Sequence, residues 1–294
     1  MTTKAKTAKT LSVLIPVLIV VLVLLIAFAA LLHLQILKFP RPSSPISDPA
    51  LSVPTQTVTE NATVQATLPP PTSNVYVPQD FGYVGDYLTC LSGPCKRGVD
   101  VSSWQRTVDW QQVKDAGMDF AMLRLGYRGT EQGGIFADDY AQSNYEKATQ
   151  AGLSVGGYFF SQAITPEEAR EEARFVLNLV EDWQIELPIV YDWEYIDEEA
   201  RTANVDSRTL TDCTIAFCEE IKAAGYTPMV YFNPDIERKN MFLEELTDYK
   251  FWLAMYSDEM TYPYRVDMWQ YTNAGSVPGI DGNCDINILF EYEN

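Results

Sequence analysis

Asp192 and Glu194 are separated by a single tryptophan in the run Pro188-Ile189-Val190-Tyr191-Asp192-Trp193-Glu194-Tyr195, whose other members are apolar or aromatic. On a strand, residues i and i+2 point to the same side with Cα atoms roughly 6 to 7 Å apart, so this spacing aims both carboxyls at one place. Two like charges walled by aromatic rings do not both ionise readily, and the less solvated carboxyl has its pKa raised. One acid then keeps a proton to donate, while the other stays ionised and stabilises developing positive charge. Cleavage of a glycosidic bond needs that division, because the leaving oxygen takes a proton and the sugar passes through an oxocarbenium-like state. Two further acids have similar surroundings: Asp100 in Gly98-Val99-Asp100-Val101-Ser102-Ser103-Trp104-Gln105, and Asp285 in Cys284-Asp285-Ile286-Asn287. Plainer readings are an acid pair solvated on a loop, or a calcium site, but no Asp-x-Asp-x-Asp-Gly loop supports the latter. Asp138-Asp139, Glu198-Glu199 and Glu244-Glu245 read as solvated pairs without chemistry.

Composition removes the main competitors. The chain of 294 residues carries 21 Lys and Arg against 40 Asp and Glu, and residues 81–294 alone hold 16 basic and 37 acidic side chains. A surface so negative repels phosphate backbones, which excludes a nucleic-acid partner. The sole histidine, His33, lies in an N-terminal apolar run, so the rest of the chain has no imidazole for a Ser/His/Asp triad, a Cys/His pair or a histidine-held metal. No cofactor and no metal are expected, and hydrolysis must be done with carboxylates.

The elements that position these acids show as a rhythm. Runs rich in β-formers at 98–101, 120–125, 155–160, 189–191, 229–232, 251–254, 266–269 and 285–289 read as eight strands. Helical patterns at 109–116, 137–151, 166–181 and 207–224 separate the first five. Thr165-Pro166-Glu167-Glu168 reads as a capping box, and Ala116-Gly117, Ala151-Gly152 and Ala224-Gly225 read as helix ends. Such alternation predicts a parallel α/β fold, an irregular TIM-like β/α barrel, with chemistry at the C-terminal ends of its strands. A doubly wound open sheet is the alternative, but no Gly-x-Gly-x-x-Gly opens a helix after the first strand. Aromatic residues gather at the strand ends, and about half of them are expected to be core. The candidate sugar-binding set is Trp104, Tyr127, Tyr158, Phe160, Tyr191, Tyr231, Tyr256 and Trp269, with Gln270 beside the last.

The N-terminal third is different. Residues 11–37 are almost wholly apolar behind Lys4, Lys6 and Lys9, which predicts a transmembrane signal anchor after a short cytoplasmic tail, 1–10. The competing reading is a secretory signal cleaved near Ala27-Phe28-Ala29. Residues 38–80, rich in Pro, Ser and Thr, read as a disordered linker holding a domain at 81–294 outside the cell, with a glycosylation sequon at Asn61. Among the cysteines, Cys90 and Cys95 flank a turn that a disulfide can close, Cys284 is a second partner for either, and Cys213 and Cys218 read as packed thiols.

From about Arg97 to Tyr292 the chain resembles the glycoside hydrolase family 25 lysozymes, the Chalaropsis-type or Cellosyl-like N-acetylmuramidases. The resemblance rests on the Gly98 to Gln105 segment, Arg124-Leu125-Gly126-Tyr127, Gly156-Gly157-Tyr158-Phe159-Phe160, Asp192-Trp193-Glu194, Met268-Trp269-Gln270-Tyr271, Pro278-Gly279-Ile280 and Asp285-Ile286-Asn287. It implies an irregular β/α barrel, without a metal, that cleaves the β-1,4 bond between N-acetylmuramic acid and N-acetylglucosamine in peptidoglycan. It further implies Glu194 as general acid and Asp192 as the group steering the acetamido or stabilising charge, with Asp100 and Asp285 lining the site. Retention or inversion stays open. The expected protein is a membrane-anchored muramidase whose barrel acts as a monomer on glycan strands; the alternative is a non-catalytic barrel that binds wall glycan.

Overall fold

Eight strands close into a barrel because each is buried on both faces and each finds a neighbour on both edges. In the computed structural model, which describes residues 71–292, these strands are β3 (Cys95–Val101), β4 (Phe120–Arg128), β6 (Ser154–Ser161), β7 (Ile189–Trp193), β8 (Pro228–Phe232), β9 (Lys250–Ala254), β10 (Met268–Gly275) and β11 (Cys284–Phe290). Six adjacent pairs run parallel, from β3–β4 round to β9–β10. β11 closes the circle antiparallel to both β10 and β3. A hairpin of β1 (Phe81–Val84) and β2 (Tyr87–Cys90) precedes the barrel, and β5 (Ile135–Ala137) folds back on β4.

The helices α1 (Trp110–Asp115), α2 (Ala141–Gln150), α3 (Pro166–Leu179) and α4 (Ser207–Ala223) cross over between the first five parallel strands. Thr165 caps α3 by accepting from Glu168 N at 3.3 Å, while the Glu168 carboxylate takes Ile164 N at 2.9 Å. α1, α2 and α4 each run into a glycine with positive φ, Gly117, Gly152 and Gly225, the left-handed turn that ends a helix without Cβ strain. A fifth helix, α5 (Pro234–Asn240), was not foreseen; its signal is Asn233 before Pro234, whose Oδ1 accepts from Asp235 N and Ile236 N. No regular α-helix among the described residues links β9 to β10 or β10 to β11, as the short gaps there require.

Alternation along the strands sends Phe120, Met122, Val190, Met229, Trp252, Met268 and Leu289 into one apolar cluster that fills the barrel. Its packing needs glycine on the facing strands: a Cβ at Gly98 would lie 2.5 Å from the Phe120 ring, and one at Gly156 2.7 Å from Met122 Sδ. The opposite parity packs against the helices in a second, larger cluster that holds Cys213 and Cys218 as buried thiols.

Two expectations are revised. All the cysteines are free thiols. Cys284 is out of reach of Cys95 because Phe290, at the other end of β11, is the residue paired with Cys95; six steps along the strand, about 20 Å, separate the two ends. The folded unit also starts before residue 81. Asn74 N donates to Pro263 O at 2.9 Å, Asn74 Nδ2 to Tyr262 O at 3.0 Å, and the Tyr76 ring stacks on Phe290 at 4.8 Å. The apolar segment 11–37, the linker up to residue 70 and Asn61 lie outside the described residues, among which no helix is long and apolar enough to cross a membrane.

Candidate active site

The inward-facing parity that is apolar at the bottom of the barrel turns polar at the C-terminal ends of the parallel strands. There it lines a cleft of about 980 Å³, a volume suited to sugar rings. Asp100 comes from β3, Asp192 from β7, Glu194 from the residue just beyond β7, and Asp285 from the start of β11. All four acids named from sequence therefore meet in one cleft. Trp104, Tyr127, Tyr158, Phe160, Tyr231, Tyr256 and Gln270 line it with them.

Tyr191 and Trp269 do not. Each sits one residue before an inward side chain, so the two-residue period of a strand turns it outward. Tyr191 is fully buried against Phe217, with ring centroids 5.1 Å apart, and Trp269 is buried against Phe81 and donates Nε1–H to Met255 O at 2.8 Å. Once Asp192 and Gln270 are assigned inward, parity alone places these two rings in the core.

Asp100 is the best-anchored acid. Its Oδ2 accepts from Gln270 Nε2 and from Asn287 Nδ2, both at 2.8 Å. The amide orientations are fixed from behind. Trp252 Nε1, which can only donate, gives its proton to Asn287 Oδ1 at 2.9 Å, and the Tyr231 and Tyr256 hydroxyls donate to Gln270 Oε1 at 3.0 and 3.2 Å. Both amides must therefore present N–H to Asp100, which favours its charged form. Burial works against them and is the larger effect, pushing the Asp100 carboxyl up to about 6.

The other acids have less support. Burial, then the Asp100 and Glu194 carboxylates, push Asp285 up to about 8. Burial raises Asp192 well above the ordinary aspartate range, with Glu194 and Asp100 adding to it and Arg124 opposing, and its Oδ1 is buried without a hydrogen-bond partner. Glu194, half-buried at the cleft, is raised by burial and then by Asp100. The pair thus differs from the simple picture of one ionised Asp192 beside one protonated Glu194: burial raises the proton affinity of Asp192 as well, and the hydrogen-bonded Asp100 is best fitted to carry charge.

Sequence reasoning missed the residues that hold this arrangement. Asp138 is buried, not solvated: its Oδ2 accepts from Arg124 Nε at 2.8 Å and Ser103 N at 2.9 Å, and its Oδ1 from Tyr140 N at 2.9 Å. Arg124, so held, also donates to Ser103 Oγ at 2.8 Å and lies over the Tyr127 ring at 5.3 Å. Arg128 is locked by Glu172 at 2.6 Å and Glu171 at 2.9 Å. Gln162 Nε2 donates to the Glu194 carbonyl at 3.2 Å, while its Oε1 takes the Thr202 hydroxyl at 2.7 Å. Asn287 and Trp252 share the inward parity of Asp285 and Ala254, a signal available in the strands once their direction is known.

A closed β/α barrel whose mouth gathers carboxyls, tyrosines and an exposed tryptophan is the framework of a glycoside hydrolase acting through acids. The family model for glycosyl hydrolases family 25 matches residues 99–280, and the chain belongs to that family. It is 27% identical over 204 residues to lysozyme M1 of Streptomyces globisporus, covering 65% of this chain and 66% of that one. Among solved structures, the lysozyme of Streptomyces coelicolor superposes with a TM-score of 0.55 at 25% identity, over 69% of this chain and 94% of that chain. The modular autolysin LytC of Streptococcus pneumoniae superposes with a TM-score of 0.59 at 24% identity, over 67% of this chain. This chain spans about half, 47%, of the LytC chain.

Proposed function

We propose that the protein is a membrane-anchored peptidoglycan hydrolase that cleaves the β-1,4 bond between N-acetylmuramic acid and N-acetylglucosamine. The observation that carries this reading is the convergence of Asp192 and Glu194 on one cleft, Glu194 half-buried and Asp192 with an unpartnered buried oxygen. Glu194, whose proton affinity burial raises and which is open to the cleft, donates to the leaving glycosidic oxygen. Asp192 Oδ1 receives the substrate's acetamido N–H. That bond supplies the acceptor with the partner it lacks and favours the ionised carboxylate, whose negative charge steadies the oxocarbenium-like sugar until water adds to its anomeric carbon. Asp100, held by two amides, keeps the site's electrostatic balance and raises the proton affinity of Glu194. Tyr158, Phe160 and Trp104 offer faces for the sugar rings. The names of lysozyme M1 and of the Streptomyces coelicolor lysozyme support the substrate class.

Anchoring rests on the apolar run 11–37 behind three lysines, and the Pro/Ser/Thr-rich linker that follows gives the barrel reach into the wall. The test is to incubate the full chain with purified peptidoglycan, assay new reducing ends, and identify the terminal sugar by mass. N-acetylmuramic acid at the new end, lost in Glu194→Gln, is expected. N-acetylglucosamine there would make the enzyme a glucosaminidase, and no release between pH 4 and 8 would make the barrel a glycan-binding module.

A further inference from the structure

Three arginines line the cleft, and two are tied to acids of the fold: Arg124 to Asp138, with Ser103 beside it, and Arg128 to Glu172 and Glu171, with the Gly133 carbonyl. The third, Arg106, is exposed, and its side chain makes no hydrogen bond or ion pair among the described residues. It is also the one non-glycine residue among them with positive φ, 55°. An arginine there carries strain that a glycine would not, and such outliers collect where a side chain is needed for a task.

The loop that bears it is tightly built. Ser102 N donates to Gln105 Oε1 at 2.9 Å, Trp104 N to Ser102 Oγ at 3.2 Å, Gln105 N to Ser102 O at 3.2 Å, and Arg106 N to Ser103 O at 3.2 Å. The result is a rigid lip on which Trp104 stands 82% exposed, two residues from Arg106. A flat indole beside an unpaired guanidinium suits a sugar ring that carries an anionic substituent. In a cleft otherwise rich in carboxyls, a second carboxylate is tolerated only where a free cation faces it.

On the reading of the cleft as a peptidoglycan site, we infer that Arg106 is a specificity residue that binds a carboxylate of the peptide stem on the muramic acid while Trp104 stacks on the glycan. The lip thereby distinguishes stem-bearing strands from strands stripped of peptide.

The experiment compares the full chain with its Arg106→Gly and Arg106→Lys variants on two substrates: peptidoglycan with intact stems, and the same glycan after enzymatic removal of the peptides and amidation of the lactyl carboxylates which that hydrolysis frees. The wild type is expected to favour the stem-bearing strands in KM. In Arg106→Gly that KM preference shrinks by about tenfold, the weight of one charged hydrogen bond, with the ratio of kcat values between substrates held. Arg106→Lys recovers part of it, since an ammonium keeps the charge and loses the fork. The unfolding midpoint of Arg106→Gly stays equal or rises, because glycine accepts the positive φ. An unchanged KM ratio, or a lowered midpoint, overturns the assignment. Calorimetric binding of soluble muramyl-peptide fragments, with and without peptide, makes the same comparison without turnover. It therefore decides the role of Arg106 even if the wild type releases no reducing ends, a result that counts only against the hydrolase reading.

Discussion

Asp285 lies directly opposite Asp100 across the antiparallel pair β11–β3. Cross-strand partners have Cβ atoms roughly 5 Å apart, so like charges in that position oppose each other. Two donors, Gln270 and Asn287, serve Asp100, whereas Asp285 is left to hold its proton. The pairing exists because β11 is the one barrel strand that runs against the rest, which brings its first residues to the mouth.

This juxtaposition makes stability depend on pH. Unfolded aspartate titrates near ~3.9, and folding raises Asp100 to about 6 and Asp285 to about 8. The folded state therefore binds these protons more tightly than the unfolded one. No penalty exists below the unfolded value, and stability falls as pH climbs from there through the folded values. Calorimetry should find a lower unfolding midpoint at pH 8.5 than at pH 5. Asp285→Asn should recover on the order of 1–3 kcal/mol at the higher pH and little at pH 4. Equal midpoints at both pH values would contradict the raised acids.

Activity should follow protons in the same direction. Glu194 is raised by burial and by Asp100, and it must be protonated to donate, so kcat should decline as pH rises from mildly acidic to alkaline. Asp100→Asn removes the neighbouring charge and should move that decline to lower pH. A rate that is flat to pH 9 would speak against Glu194 as the donor.

Replacement of Glu194 by Gln keeps shape and removes the proton. We expect kcat to fall by roughly 10²- to 10⁴-fold with KM little altered, measured by reducing-end release. A comparable fall in binding with kcat preserved would place Glu194 in recognition instead.

Trp252→Phe tests the chain of donors behind Asp100. Without the indole N–H, Asn287 is free to turn its carbonyl toward Asp100, which would no longer be stabilised as an anion. A drop in kcat of about tenfold and a shift of the pH profile are expected, one hydrogen bond being worth ~1 kcal/mol or more at a charged group. Loss of stability alone, with an unmoved pH profile, would make Trp252 plain core.

Arg128 and Glu172 form a buried ion pair, with Ser161 Oγ donating to the other carboxylate oxygen at 2.6 Å. Truncating the arginine strands a buried acid, so Arg128→Ala should cost ~3–5 kcal/mol. A denaturant titration showing under about 1 kcal/mol would mean that Glu172 simply takes up a proton, as its rise to about 7 by burial permits.

The sequence determined the barrel and the acids because both are written in local pattern. Strand runs ending in Asp100 and in Asp192-Trp193-Glu194, with helices closed by Ala-Gly, need only nearest neighbours to be recognised. Even the burial of Tyr191 and Trp269 is implied by their parity with Asp192 and Gln270. What waited for the tertiary structure depends on partners far apart in the chain. In a wholly parallel barrel Asp285, at the start of its strand, would lie at the opposite end from Asp192; only the reversal of β11 puts it beside Asp100, 185 residues earlier. Asp138 looked like half of a solvated acid pair until Arg124 and Ser103 enclosed it. The proton affinities were equally hidden, since they follow from burial and from donors supplied by β9, β10 and β11 together, and no window of sequence contains those three strands' shared interior.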